Sequence, residues 1–323
     1  MVSQALGLAE ALGFENPPIK KVGLRWPWNW TPNWPALASL SALSSSSDRL
    51  MPPWPDLLIT CGRKAAFVSL AIGKLSPRTK RIHIQNPHAG IGGYDLVIVP
   101  EHDGVMSGPN VLTSHAALHR VTPVKLAAGR AEFADSLSNL PRPLVAVLLG
   151  GNNRNYSLTP AWAMDFGRQL AAMHRETGCG FAITPSRRTD PAAVLAMRAA
   201  MAGVPMQFWD GTGPNPYFGY LGSADAVIVT CESISMISEA CAAGVPVLLA
   251  RLPGKSARFD KFFAKLESLG FVRWYDGKLE LWPNRKLDDM GRIAGQILKR
   301  IFSIINIIGL LSVTCLEGSR HVF

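Results

Sequence analysis

The sequence predicts an α/β fold of two domains, each built on a parallel sheet covered on both faces. Three observations carry this. Apolar runs of strand length recur along the chain: Asp56–Thr60, Tyr94–Val99, Leu144–Leu149 and Ala226–Thr230. Such runs have no polar face, so they must be buried on both sides, as strands of a parallel sheet are. They alternate with segments of helical periodicity, which is the pattern of helices packed on a parallel sheet. The alternation also runs twice, and at roughly 150 residues per domain the 323 residues suit two domains.

The elements follow in order. Val2, Leu6, Ala9 and Leu12 recur at helical spacing and Gly13 stops the helix. Ile19 to Leu24 reads as a short strand. Arg25–Pro35 (RWPWNWTPNWP) is rich in proline, which removes backbone donors and fixes φ, so it reads as irregular. It is either a packed loop or a ligand or membrane patch. Ser44–Ser47 and Pro52–Pro55 mark surface turns. Asp56–Thr60 is a strand, with a helix from Gly62 to about Leu75. Strands at Arg81–Gln85 and Tyr94–Val99 come next. Thr122 then caps a helix with Pro123 at its first position, running to about Leu137.

Asn139–Pro143 (NLPRP) reads as the linker. Beyond it come the strand Leu144–Leu149, a helix capped at Thr159-Pro160, the strand Phe181–Thr184 and a helix capped at Asp190-Pro191. The strand Ala226–Thr230, a helix from about Ser233 and the strand Val245–Ala250 continue the series. The expected division is residues 1–140, 144–299 and an apolar tail at 300–323, with a cleft between two Rossmann-like domains. Within the tail, Ile301–Val313 is apolar for thirteen residues, about 20 Å as a helix and short of the roughly 30 Å hydrocarbon core. A docked helix, an interfacial anchor and a non-native end are the readings open to it.

Composition narrows the function. Apolar residues make up 48% and charged residues 17%, which excludes global disorder. The five cysteines are odd in number and form no CxxC pair, which argues against a disulfide framework or a structural zinc site and fits a reducing cytosol. The opening residues show no leader-like pattern of charged, apolar and small-residue regions, so secretion is not expected. The net charge of +10 favours anionic partners, but the basic residues are scattered and no nucleic-acid-binding signature accompanies them. The expected partners are therefore small anions such as nucleotides, or acidic lipid head groups, rather than nucleic acid.

Four constellations could carry chemistry. In Thr230–Val247 (TCESISMISEACAAGVPV), Ser233 and Ser235 open a helix after a buried strand, and free N–H groups there favour an anion. Glu239 lies four residues from Ser235 on the same face, where it could accept ribose hydroxyls; alternatively it is an ordinary helix residue. In Leu149–Asn155 (LGGNNRN), Gly150 and Gly151 can adopt positive φ and form an anion nest, with Asn152, Asn153 and Arg154 beside it. The alternative is a plain turn. In Thr184–Thr189 (TPSRRT), Ser186, Arg187 and Arg188 could hold a diphosphate through charge-assisted bonds, or could simply be solvated. In Pro100–Asp103 (PEHD), His102 beside Asp103 could be a general base oriented by a carboxylate, with a polar loop as the alternative. His115 and His119 have the spacing of helical metal ligands but no third ligand, and are read as ordinary histidines. Gly211–Pro216 (GTGPNP) reads as a loop rather than a dinucleotide fingerprint.

The segments QALGLAEALG (Gln4–Gly13), PWPDLLITCGRKAA (Pro53–Ala66), YDLVIVPEHD (Tyr94–Asp103), GPNVL (Gly108–Leu112), LHRVTP (Leu118–Pro123), SRRT (Ser186–Thr189) and NPYFGYLGSADAVIVTCESISMISEACAAGVPV (Asn215–Val247), in this order, resemble the mitochondrial fission "elongated mitochondria" family, in its bacterial branch. The resemblance covers residues 3 to 299. It implies a GT-B-like fold of two Rossmann-like domains, in which the second binds a nucleotide sugar. By motif, the diphosphate role falls on Gly150, Gly151, Ser233 and Ser235, and the ribose role on Glu239. Plant members sit at the mitochondrial outer face and recruit a dynamin-type protein, a role a bacterium has no mitochondria to use. Members usually open with a strand and a glycine- and histidine-containing loop before the QALGLAEALG helix. This chain begins inside that segment, so the expectation is a first sheet lacking a central strand.

The resulting expectation is a nucleotide-sugar-binding protein, with a metal-independent glycosyltransferase acting on a lipid-linked acceptor at the cytoplasmic membrane face as its enzymatic form. His102 or Asp103 would serve as base there. No cofactor is expected to bind tightly; the ligand is a nucleoside diphosphate or its sugar. The alternatives are a non-catalytic adaptor or membrane-peripheral scaffold on the same fold, and a nucleotide-sugar epimerase.

Overall fold

The computed structural model describes residues 2–104, 108–302 and 312–318. Along the chain the first elements are α1 (Val2–Ala11), β1 (Ile19–Val22), β2 (Leu57–Cys61), α2 (Arg63–Leu75), β3 (Lys80–Ile84), β4 (Leu96–Pro100) and β5 (Val111–Ser114). Then come α3 (Pro123–Glu132), α4 (Ala134–Leu137), β6 (Leu144–Leu149), α5 (Pro160–Thr177), β7 (Gly180–Pro185), α6 (Pro191–Ala200) and β8 (Met206–Phe208). The series closes with α7 (Tyr217–Ser223), β9 (Ala226–Thr230), α8 (Ile234–Ala243), β10 (Val247–Ala250), α9 (Ala257–Ser268), β11 (Val272–Trp274), α10 (Asp289–Ile297) and β12 (Val313–Gly318). Among the described residues no helix is long and apolar enough to cross a membrane.

The chain is α/β throughout and divides into two units, each with a six-stranded, all-parallel sheet. The first unit is Met1–Arg120 with Asp288–Phe323, the second Val121–Leu287. This differs from the sequence reading in two places. Helices α3 and α4 belong to the second unit, where α3 packs on α7 and Arg130 donates to the Gly222 carbonyl. Helix α10 returns to the first unit, where the Asp289 carboxylate accepts the Ala116 N–H at 2.8 Å. A linker rich in proline suggested a boundary, but side-chain packing on α7 decides where α3 resides.

In the first unit the strand order is β1-β12-β2-β3-β4-β5. Strand alternation sends Leu57, Ile59, Ile82, Ile84, Leu96 and Ile98 to one face, where they meet Ala5 and Leu8 of α1 and Ile293 and Ile297 of α10. Leu58, Val97 and Val99 point the other way, against Phe67, Val68 and Ile72 of α2 and Leu24 and Ala42 of the long β1–β2 connection. The expected gap in this sheet is filled. β12 lies between β1 and β2, parallel to both, with Cys315 opposite Ile19 on one side and Ile59 on the other. Its side chains suit an interior place: Val313 and Cys315 enter one core and Leu316 the other. Of the apolar stretch Ile301–Val313, residues 303–311 lie outside the described residues, so the tail-helix and anchor readings are left there. Ile301 continues α10 as part of a π turn (Leu298–Phe302), and Val313 starts β12.

The second unit has the order β11-β10-β9-β6-β7-β8. From β6 the chain steps outward through β7 to β8, and from β9 outward the other way through β10 to β11. The order therefore reverses between β6 and β9, which are paired from Val145↔Ala226 to Leu148↔Val229. In open α/β sheets ligands bind outside the carboxyl ends of the strands at such a reversal.

Candidate functional site

The loops leaving β6 and β9 at that reversal are tied together. The Gly150 N–H donates to the Thr230 hydroxyl at 2.8 Å, and the Gly151 N–H donates to Oε1 of Glu232 at 2.6 Å. The Asn153 amide donates to the Glu232 carbonyl at 3.2 Å. Glu232 is 2% exposed, and its Oε2 has no hydrogen-bond partner. Burial pushes the Glu232 carboxyl up, opposed by the Thr230 hydroxyl, the Gly151 N–H and the Arg188 charge.

This geometry gives the two glycines a different reason from the one their sequence suggested. Neither has positive φ. What they provide is room: a Cβ at Gly150 would collide with the Glu232 carboxyl group, and one at Gly151 with the Arg188 carbonyl. The turn is an approach point for the β9 and β7 loops, and the Gly151 N–H is already engaged.

The other predicted residues divide between framework and free surface. The Asn152 side-chain Oδ1 accepts the Leu158 N–H at 2.6 Å, and the Asn153 side chain accepts from the Asn155 and Tyr156 N–H groups, so both asparagines shape their own loop. The Ser186 hydroxyl donates to the Gly150 carbonyl at 2.8 Å, and Thr189 donates to the same oxygen. Arg187 and Arg188 are exposed beside this tied corner, as is Arg154. Ser233 is the N-cap of α8, accepting the Met236 N–H at 3.5 Å, while Ser235 in the first turn is exposed.

Glu239 stands one turn further along α8, half-buried, and accepts a hydrogen bond from the Tyr217 hydroxyl at 2.6 Å. Burial raises its carboxyl to about 7, with the Tyr217 bond opposing the shift. The Tyr217 phenol is itself raised well above its usual range by burial and by Glu239. Tyr217 opens α7, and its N–H is held by the Asn215 side chain at 3.0 Å. The glycine-containing loop Gly211–Pro216 thus leads into the tyrosine that holds Glu239.

His102 and Asp103 belong to the first unit, in a 3-10 turn directly after β4. The His102 Nε2 lies 3.7 Å from the Asp103 Oδ1. Glu101 instead approaches His115, Oε1 to Nδ1 at 2.9 Å. His115 and His119 lie on an irregular segment after β5, so the helical ligand spacing does not arise. Among the described residues no group of three His, Cys, Asp or Glu side chains could hold a metal ion.

The model of the mitochondrial fission ELM1 family matches residues 1–301. The chain belongs to that family. It is 27% identical to the mitochondrial fission protein ELM1 of Arabidopsis thaliana over 277 residues, covering 76% of this chain and 64% of that protein. The chain thus spans less than two thirds of the plant relative's length. It is 26% identical to an uncharacterized protein of Rickettsia prowazekii over 284 residues, covering 76% of this chain and 79% of the relative. Solved structures also align with parts of the chain. A UDP-GlcNAc 2-epimerase of Neisseria meningitidis aligns over 80% of this chain and 72% of its own, with a TM-score of 0.45 and 12% identity. MurG of Acinetobacter baumannii aligns over 76% and 66%, with a TM-score of 0.41 and 15% identity. The fold of this ELM1-family chain is defined by its own two sheets rather than by these likenesses.

Two residues of the corner escaped the sequence reading. Glu232 follows a buried strand and precedes a helix cap, where a carboxylate is unremarkable; its importance needs β9 to pair with β6. Tyr217 lies 22 positions from Glu239, and only the packing of α7 against α8 joins them.

Proposed function

We propose that this ELM1-family chain binds a nucleoside diphosphate, carried as a nucleotide sugar, at the carboxyl edge of the second unit's sheet. The observation that carries the reading is the line along α8: a helix start at the β6/β9 reversal, the exposed Ser235 in its first turn, and Glu239 one turn on, held by Tyr217. Ser235 and Glu239 are four residues and about 6 Å apart along the helix axis. A helix start favours a phosphate through its free N–H groups and dipole. A carboxylate that far away suits a ribose diol, and the exposed Arg187 and Arg188 supply charge-assisted bonds to a diphosphate. In a transferase these same groups would stabilise the departing diphosphate. An epimerase would use them to hold the nucleotide. Calorimetric titration with UDP, GDP, ADP and CMP tests the reading. One diphosphate should bind near micromolar, about −8 kcal/mol; no binding by folded protein overturns it.

A second reading, a membrane-peripheral or adaptor role, is favoured by one feature of the first unit. Trp26, Trp30 and Trp34 are 79%, 83% and 55% exposed on the Arg25–Pro35 loop, while Trp28 turns inward onto Phe67. The loop is pinned from beneath: Arg63 donates to the Thr31 and Asn29 carbonyls, and the Asn33 amide donates to those of Arg63 and Pro87. Exposed tryptophans beside a cation, here the exposed Arg25 of the same loop, suit a membrane interface. Co-sedimentation with phosphatidylcholine vesicles, with and without 30% phosphatidylglycerol, should show binding to the anionic vesicles that falls several-fold when the three tryptophans become alanine. Equal sedimentation of both proteins would remove this reading.

A further inference from the structure

An anionic ligand at the β6/β9 reversal would meet an acidic group of the chain that is already there. Glu232 sits with Oε1 2.6 Å from the Gly151 N–H, and Gly150 lacks a side chain at the place the carboxyl group fills. The donor a phosphate oxygen would seek on this turn is therefore taken. The other carboxyl oxygen, Oε2, is buried without a hydrogen-bond partner. An interior acceptor left unsatisfied is costly, and more so when it carries charge.

We propose that Glu232 is a charge gate on this site: its ionised form, anchored on the Gly151 N–H at the turn, repels a ligand phosphate, and a nucleoside diphosphate binds fully only when Glu232 is neutral. The inference rests on the nucleotide reading above and adds a specificity-determining residue to it. Binding to the ionised form then takes up one proton, which goes to the Glu232 carboxyl; no other bond is made or broken.

The surroundings agree with such a gate. Burial raises the Glu232 carboxyl, so neutralisation is easier than for an exposed glutamate. The groups facing it are few. From the end of β9 comes the Thr230 hydroxyl, and from the residue after it the Cys231 thiol, pushed up to about 11 by burial and so neutral near pH 8. From the loop after β6 comes the Asn153 amide, on the Glu232 carbonyl. From the loop after β7 comes the Arg188 charge, which favours the ionised form and is also a partner for an incoming phosphate. A diphosphate that draws Arg188 away would remove one support of the carboxylate.

The test is UDP affinity from pH 7 to 9 for wild type and Glu232→Gln. The glutamine amide oxygen can keep the Gly151 bond without the charge. Wild type should lose affinity as pH rises, up to tenfold per unit. Glu232→Gln should show a shallower slope and bind at least tenfold more tightly at pH 8.5. UDP and Glu239 also titrate, but they are common to both proteins, so the difference between slopes belongs to Glu232. A check that needs no substitution is calorimetry of wild type at pH 8.5 in buffers of different ionisation heat, which should read close to one proton taken up per UDP. Equal affinities with equal slopes, weaker binding by Glu232→Gln, or no proton uptake would overturn the gate and leave the nucleotide site standing. Failure of both proteins to bind UDP at any pH would overturn the site itself, and the gate with it.

Discussion

The two sheets have the same number of strands and the same parallel order of hydrogen bonding, but they are assembled differently. The second unit takes all six strands from one continuous stretch, Val121–Leu287. The first takes five strands from the front of the chain and one, β12, from beyond residue 312, and inserts that strand in the interior of the sheet. A continuous unit can be read element by element, because each strand and its covering helix are neighbours in sequence. A unit closed by a distant strand depends on a pairing spanning more than 250 residues. The difference also separates features: the tied polar corner lies on the continuous unit, and the exposed tryptophans on the one closed by β12.

The largest effect expected from this contrast is on stability. Leu316 is fully buried in the interior strand. Leu316→Ala should cost about 2–5 kcal/mol, and Leu316→Asp about 5 kcal/mol or more, since an unpaired carboxylate would enter the core. Chemical denaturation followed by hydrogen exchange should show β2 and β3 losing protection while β6 and β9 keep theirs. Equal loss in both units would break the comparison.

A smaller effect is expected at Glu239. Its carboxyl is raised to about 7 in the fold, so between the unfolded value near 4.5 and about 7 the folded chain holds more protons than the unfolded one. Stability from this group is therefore greatest below the unfolded value and falls as pH rises through that window. Tyr217→Phe removes the 2.6 Å bond that favours the ionised form. It should cost about 1–3 kcal/mol at pH 8 and less at pH 5, where the folded carboxyl is neutral. A loss that does not vary with pH would show that the bond carries no charge-dependent part. The smallest effect belongs to the tryptophan loop: Trp26→Ala and Trp30→Ala should each change stability by about 0.5 kcal/mol or less, because those side chains face solvent. A larger loss would mean that they are packed rather than presented.

Much of the continuous unit was legible in the sequence. Leu144–Leu149 and Ala226–Thr230 are strands with the bounds their apolar runs indicate, and the Thr159-Pro160 and Asp190-Pro191 caps start α5 and α6 as read. The three-residue strands β8 and β11 are too short to show a period, and β12 carries a polar Thr314 and Glu317 within a segment that looked like a tail. At the candidate site, local spacing grouped Ser233, Ser235 and Glu239, and the structure places them together at the cap and first turns of α8. Spacing could not bring out Glu232 or Tyr217, whose partners come from other strands and helices. Gly150 and Gly151 were read for backbone freedom, whereas they serve close approach, a distinction that depends on which loop lies opposite.

The central claim is that α8 of the second unit presents a nucleotide site centred on Glu239. Its most direct test is titration of UDP, GDP, ADP and CMP into wild type and Glu239→Ala at pH 7.5, with circular dichroism confirming that both are folded. One diphosphate should bind wild type near micromolar and weaken at least about tenfold in Glu239→Ala, a loss of about 1.4 kcal/mol or more. Binding of equal strength by the two folded proteins, or by neither, would contradict the claim.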